Sequence, residues 1–200
     1  MTEKQRINRF LASCAVCSRR KADLLVREGR VTVNGETCTD PSRVIDPNRD
    51  SVTVDGKKLT LQEKLYLALN KPKGYVCSVS DRFSRTVMEL LPSDYRAKGL
   101  FPIGRLDKES EGLLLLTNDG ALAQRILHPR QNVPKTYEIL LDKAVSDETL
   151  DSLSRGTEIA GRLVTPEKVA LMGKLPKGRW VSIILSEGLK REIRIMASTR

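Results

Sequence analysis

Residues 104–120 read GRLDKESEGLLLLTNDG. The stretch sets four acids (Asp107, Glu109, Glu111 and Asp119), one arginine (Arg105) and hairpin-type glycines against the aliphatic run Leu113 to Leu116. A run of that length is a buried strand; a membrane span takes about 18 to 20 apolar residues. Asp107 follows the strand-like FPIG and precedes a polar turn. A carboxylate there is held at the end of a rigid element and still reaches a ligand. The plainer reading of Asp107, Glu109 and Glu111 is a solvated acidic loop.

Outward from this stretch, LYLALNKPKG, YVCSV, KTYEILL and RWVSIIL alternate as strands. Helical windows fall at 86–91, 119–127, 146–155 (closed by Gly156) and 189–198. The pattern predicts an α+β domain over 65–200 with a mixed, largely antiparallel sheet flanked by helices. Residues 60–64 read as a linker, and 1–59 as a separate small module.

In that module Ser18 is a good N-cap for a helix running to about Glu28, and Gly29 stands where a left-handed residue would end it. At about 100° per residue, Arg19, Arg20 and Arg27 share one face while Ala22, Leu25 and Val26 share the other. Val31 and Val33 alternate with polar residues into Asn34-Gly35, a type I′ hairpin signal, and Asp55-Gly56 supplies a second turn.

Lys and Arg number 35 against 25 acids, for a net charge of +10. The excess is +4 over 1–60 and +6 beyond, so two folded surfaces, not one basic tail, face an anionic polymer such as nucleic acid. The N-terminal MTEKQRINRF is charged where a secretion signal would be apolar, which leads us to expect a cytoplasmic chain with reduced cysteines.

Several chemistries lack their motifs. No GxxxxGK[ST], GxGxxG or HExxH occurs, and a Ser-His-Asp triad would rest entirely on His128, whose place in LHPR suits capping or packing better. Cys14 and Cys17 form a CxxC, but Cys38 and Cys77 lack a second paired spacing, so core packing is expected and no metal. Eight aromatics without a clustered motif disfavour a stacking platform for RNA.

Phe10-Leu11-Ala12, Ser18 to Ala22 and Glu28 to Gly35 resemble the S-four-type RNA-binding module, with Ala15 where that module usually has glycine. Gly104 to Asp107 and Ser110 to Gly112 resemble the catalytic motif of the ribosomal pseudouridine synthases of the RsuA group. The likeness extends to Leu69-Asn70-Lys71-Pro72 with Gly74, to Lys135-Thr136-Tyr137, and to Glu187 through Met196. It spans nearly the whole chain in the family's domain order.

The resemblance implies isomerisation of a uridine within ribosomal RNA: the base is flipped out, its bond to ribose is broken, and a carbon–carbon bond is formed without cofactor or metal. It makes Asp107 the essential carboxylate, as nucleophile or as base in an elimination. Arg194 becomes its basic partner, and Tyr137 the tyrosine lying against the uracil. Arg105 would fill the vacated stack or hold phosphate. Lys71 and Lys73 would contact the RNA backbone, and Arg19, Arg20 and Arg27 would grip structured RNA. The partner implied is ribosomal RNA, within an assembly intermediate or free, with no membrane and with a monomer as default. Glu192 stands where many members have glutamine, and Ile195 where a second arginine is common. The end at Arg200 implies a catalytic domain short of its last helix and strand. A non-catalytic ribosome-binding factor of the same fold and a glycosidase with paired carboxylates are the other classes to separate.

Overall fold

The computed structural model describes residues 4–174, 178–189 and 191–198. They form two compact units, one within 1–124 and the other within 125–200. Lys190, inside the expected final helix, and Arg200, on which the expectation of an early end rests, lie outside the described residues.

The first unit opens with β1 (Gln5–Arg6), α1 (Ile7–Ser13) and α2 (Arg19–Arg27), then β2 (Val31–Val33), β3 (Glu36–Cys38), β4 (Val44–Ile45), β5 (Val52–Val54) and β6 (Lys57–Lys58). α2 starts as its sequence requires: Ser18 Oγ accepts the Lys21 N–H at 3.3 Å, and Gly29 ends the helix at φ 69°. Its Ala22, Leu25 and Val26 are buried, and Arg19, Arg20 and Arg27 stand in solvent on the opposite face. Asn34 and Gly35 take φ 54° and 87°, the two positive values a type I′ turn demands, so β2 and β3 pair with Val33 opposite Glu36. The strand order is β3-β2-β5-β6, and the inward valines close over Ile7, Phe10 and Leu11 of α1. Cys14 belongs to this core, and burial pushes its thiol up to about 12, so it packs as a small apolar side chain.

Residues 60–64 carry no helix or strand. β7 (Tyr66–Lys71) follows, then a one-turn 3-10 helix (Val87–Leu90) with a Thr86–Glu89 capping box, α3 (Ser93–Arg96), β8 (Phe101–Ile103) and β9 (Gly112–Thr117). The strands order as β7-β9-β8, all antiparallel, with Lys71 opposite Gly112 and Ile103 opposite Leu115. Alternation along β9 buries Leu114 and Leu116 against Val87, Met88, Leu91 and Leu100 and leaves Leu113 exposed. The segment YVCSV is not a strand, contrary to its alternation. Only Val76 forms a bridge, to Thr86, and the Ser78 N–H turns back onto the Val76 carbonyl at 3.0 Å in place of a strand partner.

α4 (Gly120–Leu127) carries the chain into the second unit. Asp119 caps it, accepting the Ala121 and Leu122 N–H groups. Burial raises the Asp119 pKa, but Lys64 at 2.9 Å, those two amides and the Tyr66 hydroxyl together bring it down to about 2. His128 Nδ1 accepts the Arg130 N–H and caps a short 3-10 turn, the capping role its sequence context suggested. Then come β10 (Lys135–Leu140), α5 (Asp147–Ser154), β11 (Thr157–Ile159), β12 (Arg162–Val164), β13 (Lys168–Leu171), β14 (Trp180–Leu185) and α6 (Glu192–Ser198). The sheet runs β10-β14-β13, antiparallel, and its inward Val181, Ile183 and Leu185 pack with Leu153 and Met196. Among the described residues no helix is long and apolar enough to cross a membrane.

One contact ties the N-terminal module to the strands after it. Ala15 closes the α1–α2 turn at φ 58°, a left-handed conformation that costs an alanine about 1 kcal/mol, and Gly99 at φ 69° lies against it. A Cβ on Gly99 would meet the Ala15 Cβ at 2.9 Å. Gly99→Ala is therefore expected to cost about 2 kcal/mol through strain and overlap, and adding Ala15→Gly to recover about half of it. Urea unfolding of the two single variants and the double variant measures this. Strictly additive effects would show that the overlap is not felt.

Candidate active site

The sequence-selected residues of the first unit converge at one end of β7-β9-β8. Residues 104–111 connect β8 to β9, and Lys71 and Pro72 lead out of β7 beside them. Asp107 sits in this connection, half-buried, with Arg105, Glu109, Glu111 and Lys73 exposed around it.

Lys71 holds the connection in shape. Its side chain is wholly buried, and Nζ lies 2.6 Å from the Ser110 carbonyl, 3.0 Å from that of Pro72, 3.1 Å from that of Asp107 and 3.3 Å from that of Lys108. An ammonium has three N–H donors, so at least one is shared among these four acceptors. The expectation of a phosphate contact for Lys71 is thus corrected: its charge is enclosed by the protein's own carbonyls and presents nothing to RNA. Burial draws its pKa down, against the attraction of Cys77, Glu109, Asp107 and Glu111.

Two further ties support the loop. The Gly74 N–H donates to the Lys108 carbonyl at 2.8 Å, and the Ser110 N–H to the Asp107 carbonyl at 3.0 Å. Cys77 brackets Leu106 from the other side, its thiol donating to the carbonyl at 3.4 Å and accepting the N–H at 3.2 Å. The backbone on both sides of Asp107 is therefore fixed by Lys71, Gly74 and Cys77. Nothing in the sequence marked Cys77 for this task.

In the second unit, Tyr137 projects from β10 and Arg194 lies on α6. The Tyr137 hydroxyl donates to Glu192 Oε1 at 3.5 Å, while Glu192 Oε2 accepts the Leu189 N–H at 2.7 Å. Glu192 is only 4% exposed. Burial first, then the charge of Glu192 and this hydrogen bond, push Tyr137 up to about 12. Burial also raises Glu192, aided by Glu187 and opposed by the Leu189 amide, Lys135 and Tyr137. Arg194 is exposed and, with Arg191, Leu140 and Asp142, lines a cavity of about 410 Å³. Lys135 repeats the device of Lys71: its Nζ lies 3.0 Å from the Val133 carbonyl, 3.2 Å from that of Glu187 and 3.5 Å from that of Ser186. Among the described residues no cluster of three or more His, Cys, Asp or Glu is placed to hold a metal ion.

The chain thus carries a small helix-and-antiparallel-sheet module followed by a sheet whose β8–β9 connection bears Asp107, and comparison with known proteins specifies the class. The family model described as RNA pseudouridylate synthase matches residues 65–199, and that of the S4 domain matches 5–51. An uncharacterized RNA pseudouridine synthase of Aquifex aeolicus (strain VF5) is 40% identical over 191 residues, covering 94% of this chain and 76% of that one. Ribosomal large subunit pseudouridine synthase B of Bacillus subtilis (strain 168) is 35% identical over 195 residues, covering 96% and 79%. A crystal structure of pseudouridylate synthase superposes with a TM-score of 0.65 at 29% identity over 97% of this chain and 82% of that one. The chain belongs to the RNA pseudouridylate synthase family. It is an isomerase that converts uridine to pseudouridine in RNA.

The raised Glu192 pKa has a measurable sign. A carboxyl that titrates higher when folded favours the fold below the ordinary glutamate range, and that benefit is lost as pH rises through the folded value. Glu192→Gln removes the titration and keeps the Leu189 bond through its carbonyl oxygen, while its NH2 group donates to the Tyr137 oxygen in place of accepting from it. Its melting temperature should gain on the wild type's as pH rises from about 4 to 7. Parallel curves would show that burial does not raise the Glu192 titration.

Proposed function

We propose that the enzyme isomerises one specific uridine of ribosomal RNA, flipping it from the RNA and using Asp107 as the essential carboxylate. The observation that carries this reading is the enclosure of Lys71 by the carbonyls of Asp107, Lys108 and Ser110, which preorganises the loop around one carboxylate. Support for a ribosomal substrate comes from the basic face of α2 and from the Bacillus subtilis relative, a ribosomal large subunit pseudouridine synthase.

The reaction breaks the bond from ribose C1′ to uracil N1, turns the base, and joins C1′ to C5. The C5 proton leaves to solvent, and N1 acquires one. Asp107 serves either as the nucleophile that holds the sugar or base during rotation or as the base that starts an elimination. Both routes use it as a carboxylate placed at a position that does not relax when substrate arrives. Arg105, exposed two residues away, fills the gap left by the extruded uridine or binds its phosphate, offsetting a few kcal/mol of lost stacking. Tyr137 lies against the base, Arg194 balances charge, and Lys73, Arg19, Arg20 and Arg27 neutralise phosphates.

The test is tritium release from unmodified ribosomal RNA transcribed with uridine tritiated at C5, with the site mapped by carbodiimide-stopped reverse transcription. The wild type should release tritium from one position. Asp107→Asn should lower the rate at least about a thousandfold with RNA affinity within about twofold, since it removes chemistry and leaves the phosphate contacts. Equal loss of binding and rate would make Asp107 structural. RNA binding without release by the wild type would indicate a binding factor, and free uracil a glycosidase.

A further inference from the structure

Phe83 is 95% exposed, more than any other large hydrophobic among the described residues, and the partly exposed Val79 stands on the same loop. A lone surface hydrophobe needs no explanation. This one differs in how it is held and in what surrounds it.

The loop over 77–85 is closed at its base by the Val76–Thr86 bridge, with the Val76 N–H donating to the Arg85 carbonyl at 2.9 Å and the Val87 N–H to the Val76 carbonyl at 3.0 Å. At its tip, Asp81 Oδ1 accepts the backbone N–H of Phe83 at 2.9 Å and of Ser84 at 2.8 Å. The ring is thus displayed on an organised turn, with little further entropy to lose when it docks. Arg82 and Arg85 flank it, and Arg85 lies over the Tyr75 ring at 4.7 Å. The base of the loop is joined to the active-site connection, because Cys77 holds both backbone groups of Leu106, the residue before Asp107.

We infer that Phe83 is an RNA-contacting residue that stacks on an unpaired nucleobase near the target uridine, with Arg82 meeting the adjacent phosphate. The inference rests on the RNA substrate of the family and extends it to a site beyond the N-terminal module and the catalytic loop. A base is the occupant favoured by charge: an exposed hydrophobic ring next in sequence to the exposed Arg82, with Arg85 paired to Glu89 at 3.4 Å, suits a ligand that is planar and apolar on its faces and anionic along its backbone. Extruding a uridine also leaves neighbouring bases without a stacking partner, which an exposed ring can supply.

The experiment measures affinity for a fluorescent single-stranded oligouridine across a salt series, using the whole chain and Phe83→Ala, Phe83→Leu and Phe83→Trp. Because the side chain is in solvent, none of these disturbs the core. Alanine and leucine should each weaken binding about five- to fiftyfold, while tryptophan should match or exceed the wild type. The slope of log affinity against log salt should stay unchanged for all three, since no cation is removed, and should flatten for Arg82→Gln. An alanine variant within twofold of wild type, or a leucine variant with wild-type affinity, would overturn the inference. Loss of oligouridine binding in the alanine variant, alongside a wild type that releases no tritium from ribosomal RNA, would sink the ribosomal assignment and leave Phe83 as an RNA contact.

Discussion

A single buried ammonium organises the reactive end of the first unit. Burying a lysine without partners costs several kcal/mol, and the pull of Lys71 on four carbonyls offsets that cost only if the loop curls around it. The loop in turn has no regular secondary structure to satisfy its carbonyls. Each therefore requires the other, and the backbone that carries Asp107 is fixed by the arrangement. The antiparallel register supplies the rest: Lys71 lies opposite Gly112, so the last residue of β7 reaches the connection that enters β9.

The second unit uses the same physics twice. Lys135 gathers the carbonyls of Val133, Ser186 and Glu187 at the start of β10 and fixes the segment after β14. Glu192 then joins that segment to β10 through the Leu189 amide and the Tyr137 hydroxyl. Tyr137 is in this way held by a buried acid, and its own ionisation is driven far above neutral pH. A tyrosine so placed serves as a neutral apolar surface with one polar edge, which suits contact with a base better than it suits general-base chemistry.

Much of this was legible in the sequence because local chemistry and tertiary structure agree. Ser18, Gly29, Asn34-Gly35 and Asp55-Gly56 act through their own backbone neighbours, so their elements could be read directly. The family motifs likewise single out Asp107 through Gly104 to Asp107 and Ser110 to Gly112. Lys71 could not be read correctly, since a lysine in a polar turn looks like a surface charge until the fold wraps carbonyls around it. The YVCSV segment misled because its alternation is real but the Ser78 N–H turns back onto the Val76 carbonyl instead of meeting a strand partner. Asp119, one of four acids in the opening stretch, is a helix cap paired with Lys64, and spacing alone does not separate it from Asp107.

The most direct test of the Lys71-centred loop is amide hydrogen exchange in Lys71→Met, followed residue by residue. If the ammonium builds the loop, the Gly74 and Ser110 amides, which donate to the Lys108 and Asp107 carbonyls, should lose protection by about a hundredfold or more. The Leu67 and Leu116 amides, deep in the β7–β9 pairing, should keep most of theirs. Unchanged protection at Gly74 and Ser110 would mean that the loop holds its shape without Lys71 and that the aim of Asp107 has another cause.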